Sequence, residues 1–231
     1  MIPRYLSDTI QRLREGFPIV AITGPRQSGK TTLSRAIFAD KPYVSLEEPD
    51  TRNYAVEDPR GFLGQFPEGA VIDEAQRAPK LFSYLQSRVD SDGRMGLFVL
   101  TGSQQFGLRA GITQSLAGRV GLVTLLPFSR GELCDAGRSP DALESTLFAG
   151  SYPPIYDRPV APRDWYPRYI STYLERDLHQ IIGVRDLHTF HTFLRMCAAR
   201  VGQVLNLSAL AGDCGITHNT ARAWISVLEA S

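Results

Sequence analysis

The chain has 231 residues, 43% of them hydrophobic and 21% charged, with 25 Lys plus Arg against 24 Asp plus Glu. That length allows one medium domain with a smaller partner, and the composition excludes a disordered, collagenous or coiled-coil chain. A net charge of +1 argues against holding nucleic acid by bulk electrostatics, though it leaves room for a local basic patch.

The N-terminal run Met1-Ile2-Pro3-Arg4-Tyr5-Leu6-Ser7-Asp8 lacks the apolar core of a signal peptide. The strongest apolar stretch, 120–128, is far too short to span a bilayer. Cys134, Cys197 and Cys214 are odd in number, far apart and in no CxxC pair, which speaks against a disulfide framework or a cysteine-type zinc site. These features predict a soluble cytoplasmic protein.

Apolar runs at 18–23, 43–46, 70–72, 96–100 and 120–126 are short, rich in Val, Ile and Leu, and not strictly alternating. Such runs suit strands buried on both faces, as in a parallel sheet covered by helices. Between them, 31–39 places Leu33, Ala36 and Ile37 on one helical stripe, and 81–89 does the same with Leu81, Leu85 and Val89. Alternating strands and helices predict an α/β fold.

The first strand runs into Gly24-Pro25-Arg26-Gln27-Ser28-Gly29-Lys30-Thr31, the phosphate-loop pattern GxxxxGK[ST], followed by Thr32. Glycines let backbone N–H groups curl around phosphates, and the helix that follows points its positive dipole end at them. Lys30 is expected to reach the β- and γ-phosphates and Thr31 to offer a hydroxyl to Mg²⁺. The bland alternative is a Gly-rich turn between strand and helix. After the second strand, Glu47-Glu48-Pro49-Asp50 reads as a solvated acidic turn. The third strand ends in Asp73-Glu74: Asp73 is a candidate Mg²⁺ ligand through the ion's water shell, and Glu74 a candidate to orient the attacking water. The alternative is that both cap the next helix.

The fourth strand leads into Thr101-Gly102-Ser103-Gln104, where Thr101 and Ser103 are candidates to sense the γ-phosphate or attacking water; an ordinary polar turn is the alternative. Arg119, just before the fifth strand, is a candidate arginine finger toward a neighbouring subunit, or the partner of a local carboxylate.

Composition shifts after Gly150. Pro153, Pro154, Pro159, Pro162 and Pro167 fall within 151–168, which therefore cannot be continuous helix or central strand. The expected organisation is an ATPase domain over 1–150, a Pro-rich linker over 151–168 and a helical domain over 169–231. In that last part Arg176 is either a second arginine on nucleotide or a surface residue in local ion pairs. His188, His191 and Cys197 are too few for a metal site and read as packing. Residues 207–225 read as a helix-turn-helix, with Ser208 capping the first helix, Gly215 in the turn, Ile216 packed between and Thr217 capping the second. His218, Asn219, Thr220 and Arg222 are compatible with DNA contact, but 201–231 holds one Arg, one Asp and one Glu, a poor phosphate anchor. A protein-packing, winged-helix-like role competes with it.

The strings GPRQSGKTT, VIDEAQRAP, LTGSQQ, SLAGRV, LLPFSRGEL, YLERDL and LSALAGDCGITHNTARAWISVLEAS, in that order, resemble the prokaryotic AAA-like P-loop ATPases with a C-terminal domain of unknown function. The resemblance covers essentially the whole chain. It implies a five-stranded parallel sheet with the phosphate-loop strand central, and with the Asp-Glu strand separated from it by the sensor strand. It places Arg4 and Tyr5 beside the adenine, with solvent exposure as the alternative. Members of that family usually continue past the segment that closes here on Ser231, so a fragment, a truncated gene and a divergent short form are all open expectations. The expected activity is Mg²⁺-dependent ATP hydrolysis coupled to a partner or nucleic acid, in a chain that can form a homo-oligomer. The rival is a DNA-binding regulator or antitoxin-like module that uses ATP as a structural or switch ligand. A small-molecule phosphotransferase lacks a recognisable acceptor site.

Overall fold

The computed structural model describes residues 1–102, 112, 115–174 and 187–230. It divides into two compact units, Met1–Pro162 and Arg163–Ser231. The first holds α1 (Leu6–Gly16), β1 (Ile19–Thr23), α2 (Lys30–Ile37), β2 (Tyr43–Ser45), α3 (Pro49–Glu57), α4 (Pro59–Gly64), β3 (Val71–Asp73), α5 (Leu81–Asp92), β4 (Phe98–Gly102) and β5 (Val120–Thr124). Short helices α6 (Arg130–Asp135), α7 (Leu143–Ala149) and α8 (Pro153–Asp157) follow.

The five strands form one parallel sheet in the order β2-β3-β4-β1-β5. All five expected apolar runs are strands, and β4 separates β3 from β1. The middle position belongs to β4; β1 is interior but lies one place from the edge. Residues of β1, β3 and β4 are buried throughout, whereas the edge strands are only partly covered, with Leu122 38% exposed. The two edge strands thus depart from the expectation of burial on both faces, because each has a neighbour on one side only.

Strand periodicity of two sends alternate side chains to opposite layers. Ile19, Ala21, Ile72, Phe98 and Leu100 pack with Phe62, Leu81, Phe82, Leu85 and Val89 of α4 and α5. Val20, Ile22, Val71, Val99 and Val123 pack with Ile10 of α1 and with Leu33 and Phe38 at α2. On α2 the buried residues are Lys30, Leu33 and Ser34, while Ala36 is exposed, a shift of the expected stripe by part of a turn. The acidic segment after β2 is exposed as expected, yet Pro49 and Asp50 open α3. Proline at a helix start loses no intrahelical bond, so Pro49 and Pro59 begin helices here instead of preventing them.

The proline-rich stretch is broken into α8 and α9 (Pro162–Tyr169), followed by a π-helical turn over Ile170–Leu174. The second unit also contains α10 (Leu187–Ala199), α11 (Leu207–Asp213) and α12 (His218–Ala230). Trp224 of α12 meets Phe190 and Phe193 of α10 edge-on, at 5.3 and 5.2 Å between ring centroids. Of the three residues expected to pack, Cys197 lies against this cluster and His191 is half-buried, whereas His188 is exposed. Asn206, not Ser208, caps α11, its Oδ1 accepting from Ala209 N at 3.0 Å. Thr217 caps α12, accepting from Thr220 N at 3.1 Å, and Gly215 takes the left-handed turn at φ 66°. Among the described residues no helix is long and apolar enough to cross a membrane.

Candidate functional site

Parallel strands bring their carboxyl ends to one edge of the sheet, where α/β folds place their ligands. Here that edge gathers the 24–32 loop after β1, Asp73 and Glu74 at the end of β3, and Thr101 near the end of β4. The loop takes its shape from left-handed residues: Gly24 at φ 145°, Gln27 at 60° and Gly29 at 95°. A Cβ on Gly24 would sit 2.1 Å from the Leu125 carbonyl oxygen, so the first glycine answers a close backbone approach from the end of β5. Gly29 is the N-cap of α2, whose first residue is Lys30, so the free amides of that helix open on the loop.

Lys30 is 6% exposed, and its Nζ donates to the carbonyls of Gly24 at 3.0 Å and Pro25 at 2.7 Å. Burial pushes its pKa down to about 8; Glu74 and Asp73 pull the other way, and Arg26 adds to the fall. Asp73, 7% exposed, accepts at Oδ2 from the Thr31 hydroxyl at 2.9 Å and the Tyr43 hydroxyl at 2.6 Å. At Oδ1 it accepts from the buried Thr101 hydroxyl and from Glu74 N at 3.2 Å. Burial and donation to Asp73 raise the pKa of Tyr43. Glu74 is 8% exposed at φ 55° and accepts from the Gln76 side-chain amide. Apart from glycines, only Gln27 and Glu74 have positive φ among the described residues, and both are at this site. Such backbone costs of order 1–3 kcal/mol and persists where the surroundings over-determine it.

Residues 16–134, more than half of the chain, match the AAA domain family. The chain belongs to that family. Residues 140–231 of this AAA protein match a second family described as a domain of unknown function. Uncharacterized proteins of Mycobacterium tuberculosis and Mycobacterium bovis are each 35% identical to it over 228 residues, 96% of this chain. The AAA chain spans 50% of the length of those relatives. A Walker-type ATPase of Pyrococcus abyssi superposes with a TM-score of 0.57 at 17% identity, covering 100% of this chain and 89% of that one. Together with the sheet order and loop, these likenesses give the AAA domain the P-loop NTPase fold.

Of the residues singled out from sequence, the fold brings Lys30, Thr31, Asp73, Glu74 and Thr101 together. Thr32 is exposed on the outer side of α2. Arg119 stands apart. It precedes β5, whose five residues separate it from the loop-bearing edge by roughly 16 Å. Its Nε and Nη2 donate to the two carboxylate oxygens of Asp90 at 2.6 and 2.9 Å. Ser103, Gln104 and Arg176 lie outside the described residues. Arg4 is 9% exposed and touches the phosphate loop, whereas Tyr5 is 58% exposed and donates its hydroxyl to Asp135.

Tyr43 and Gln76 escaped the sequence reading. In the parallel register Tyr43 pairs with Val71 and Ser45 with Asp73, so all four share one face and a long side chain can reach along the strand to the carboxylate. Tyrosine at that place in β2 was the available signal. For Gln76 it was the spacing of two from Glu74 across a tight 3-10 turn.

Proposed function

We propose that this AAA protein binds ATP in the 24–32 loop and hydrolyses it to ADP and phosphate with the help of Mg²⁺. The observation that carries the reading is the meeting of loop and strand. Thr31 Oγ1 lies 2.9 Å from Asp73 Oδ2, Lys30 is buried within the charge field of Asp73 and Glu74, and Glu74 is next in the chain.

The residues fit an anion with a hard cation. Ser28 is fully buried, and its Oγ finds no hydrogen-bond partner among the described residues, as in a cradle built for added acceptor atoms. Lys30 meets two neutral carbonyls, which phosphate oxygens would outmatch as charge-assisted acceptors. Thr31 and Asp73 offer the oxygen donors Mg²⁺ prefers beside its waters. They would hold the ion, which when bound supplies neutralising charge to the phosphate oxygens.

The chain's own residues then divide the work. Lys30 binds the terminal phosphates, and Glu74 orients a water and takes its proton as the water oxygen attacks the γ-phosphorus. The bond to the bridging oxygen breaks, and ADP leaves with the electron pair. Gln76 fixes the Glu74 carboxylate, and Thr101 and Tyr43 fix Asp73. Arg119, remote from its own loop, acts only on the nucleotide of a neighbouring copy, after leaving Asp90. The test is phosphate release from Mg²⁺-ATP as a function of protein concentration, with Glu74→Gln alongside. Turnover per chain should rise with concentration and vanish in the variant. Equal turnover in variant and wild type refutes the role of Glu74.

A second reading, a DNA-binding regulator that uses ATP as a switch ligand, draws on the Thr217-capped α12, which exposes Asn219 and Arg222 near its start. It requires DNA affinity that falls with salt and with Arg222→Ala; affinity indifferent to both removes it.

A further inference from the structure

Arg4 is a long-range contact that the proposed chemistry does not use. Its guanidinium is buried, and every nitrogen in it is engaged. Nε donates to Glu132 Oε1 at 3.1 Å, Nη1 to the Ser28 carbonyl at 2.9 Å, and Nη2 to the carbonyls of Leu126 at 2.5 Å and Pro127 at 3.3 Å. Its Cζ lies 4.8 Å from the centroid of the Phe128 ring. Glu132 is equally committed, taking Tyr5 N at 2.8 Å on Oε1 and Ser129 N at 2.7 Å on Oε2. Side chains of the pair are 7% and 5% exposed. A buried charge pair is seldom retained for stability alone, since a hydrophobic replacement of similar volume is often neutral or better.

We propose that Arg4 is a positioning residue for the phosphate loop, holding the Ser28–Gly29 peptide in the orientation that presents the Gly29 N–H to phosphate. In a trans peptide, C=O and the following N–H point in opposite directions. A guanidinium that captures the Ser28 carbonyl therefore turns the Gly29 N–H to the far side of that plane. Gly29 cannot hold this orientation by itself, because without a Cβ it has the widest choice of backbone conformations. Arg4 limits that choice from outside the loop. The same guanidinium grips 126–127 and, through Glu132, the capping box of α6, so the loop is tied to the segment that leaves β5. Lysine could not do this, having no planar fork to serve acceptors on several sides. The phosphate part of the inference rests on the ATP-site reading above.

Two variants separate positioning from stability. E132Q removes the ion pair but leaves an amide oxygen for Arg4 Nε and keeps the bond to Ser28. R4M together with E132Q removes the bond to Ser28 without leaving an unpaired buried carboxylate. ADP binding is measured by calorimetry, thermal melting by circular dichroism, and amide exchange over residues 24–31 by mass spectrometry without nucleotide. The inference expects E132Q to bind ADP within about twofold of wild type. The double variant should bind about tenfold more weakly than E132Q, the loss expected of one charge-assisted hydrogen bond. It should also melt lower, because Leu126 and Pro127 lose their donor, so binding is compared well below both melting temperatures. Its loop amides should also exchange faster than those of E132Q. Equal affinity and equal loop exchange in the two variants overturn the inference. A wild type that takes up no ADP instead overturns the ATP-site reading, and the phosphate role of Arg4 with it. Faster loop exchange in the double variant would then still reveal the tie to Ser28, so the two failures are distinguishable.

Discussion

Replacing Gly24 by alanine tests the link between loop shape and site most sharply. The added Cβ would stand 2.1 Å from the Leu125 carbonyl oxygen and 3.0 Å from its carbon, far inside ordinary contact. Leu125 cannot retreat freely, because its N–H donates to the Thr23 carbonyl at 2.7 Å and continues the pairing of β5 with β1. The loop must move instead. A non-glycine residue at φ 145° adds strain of about 1–3 kcal/mol, and a forced repacking about 1–3 more. The sum, about 2–6 kcal/mol, lowers the melting temperature of the first unit by roughly 4–24 °C, at about 2–4 °C per kcal/mol for a domain of this size. Gly16→Ala is the control: it ends α1, nothing lies within 4 Å of the added Cβ, and it should be neutral or slightly stabilising. Melting by circular dichroism, with ADP titration of both proteins, gives the comparison. A Gly24→Ala protein that melts and binds like Gly16→Ala refutes the argument.

Thr101→Val keeps the shape of a buried side chain but removes a hydroxyl donor from Asp73, and should cost about 1.5–3 kcal/mol in chemical denaturation; an unchanged midpoint contradicts the network. Lys30 makes nucleotide affinity pH-dependent. With its pKa pushed down to about 8 in the free protein and restored by phosphate, binding takes up a proton above pH 8, and ADP affinity falls by up to about tenfold per unit from there. Because burial penalises the charged form, Lys30 also lowers stability below pH 8, and that penalty fades as pH rises toward 10.5, the ordinary lysine value. Calorimetry at pH 7, 8 and 9 checks the binding claim, and a constant affinity refutes it. Trp224→Ala removes the ring that meets Phe190 and Phe193 and should destabilise the second unit by about 3–5 kcal/mol, read by hydrogen exchange of α10 to α12; unaltered protection there opposes it.

The sheet was legible because each strand is a compact apolar run, and the loop because its glycines, lysine and threonine occupy fixed places in one short segment. Legibility failed where the decisive fact was a neighbour distant in sequence. Arg4 lies 128 residues from Glu132, and nothing local to either announces a buried pair. Tyr43 meets Asp73 only because β2 pairs with β3, which chain order alone does not dictate. The helix opened by Pro49 looks like a turn in sequence, since proline and carboxylates suit a helix start as well as a loop. Arg119 illustrates a different limit: the parallel sheet expected from sequence already sets a residue preceding β5 at the end away from the phosphate loop, and a motif considered without that geometry hides the fact.

The most direct test of the central claim is equilibrium binding of Mg²⁺-ATP by calorimetry to wild type and Lys30→Ala. The account predicts saturable binding of one nucleotide per chain in the wild type and its loss in Lys30→Ala, with both proteins melting as folded. Equal binding by the two, or none by the wild type, contradicts the assignment of residues 24–32 as the nucleotide site.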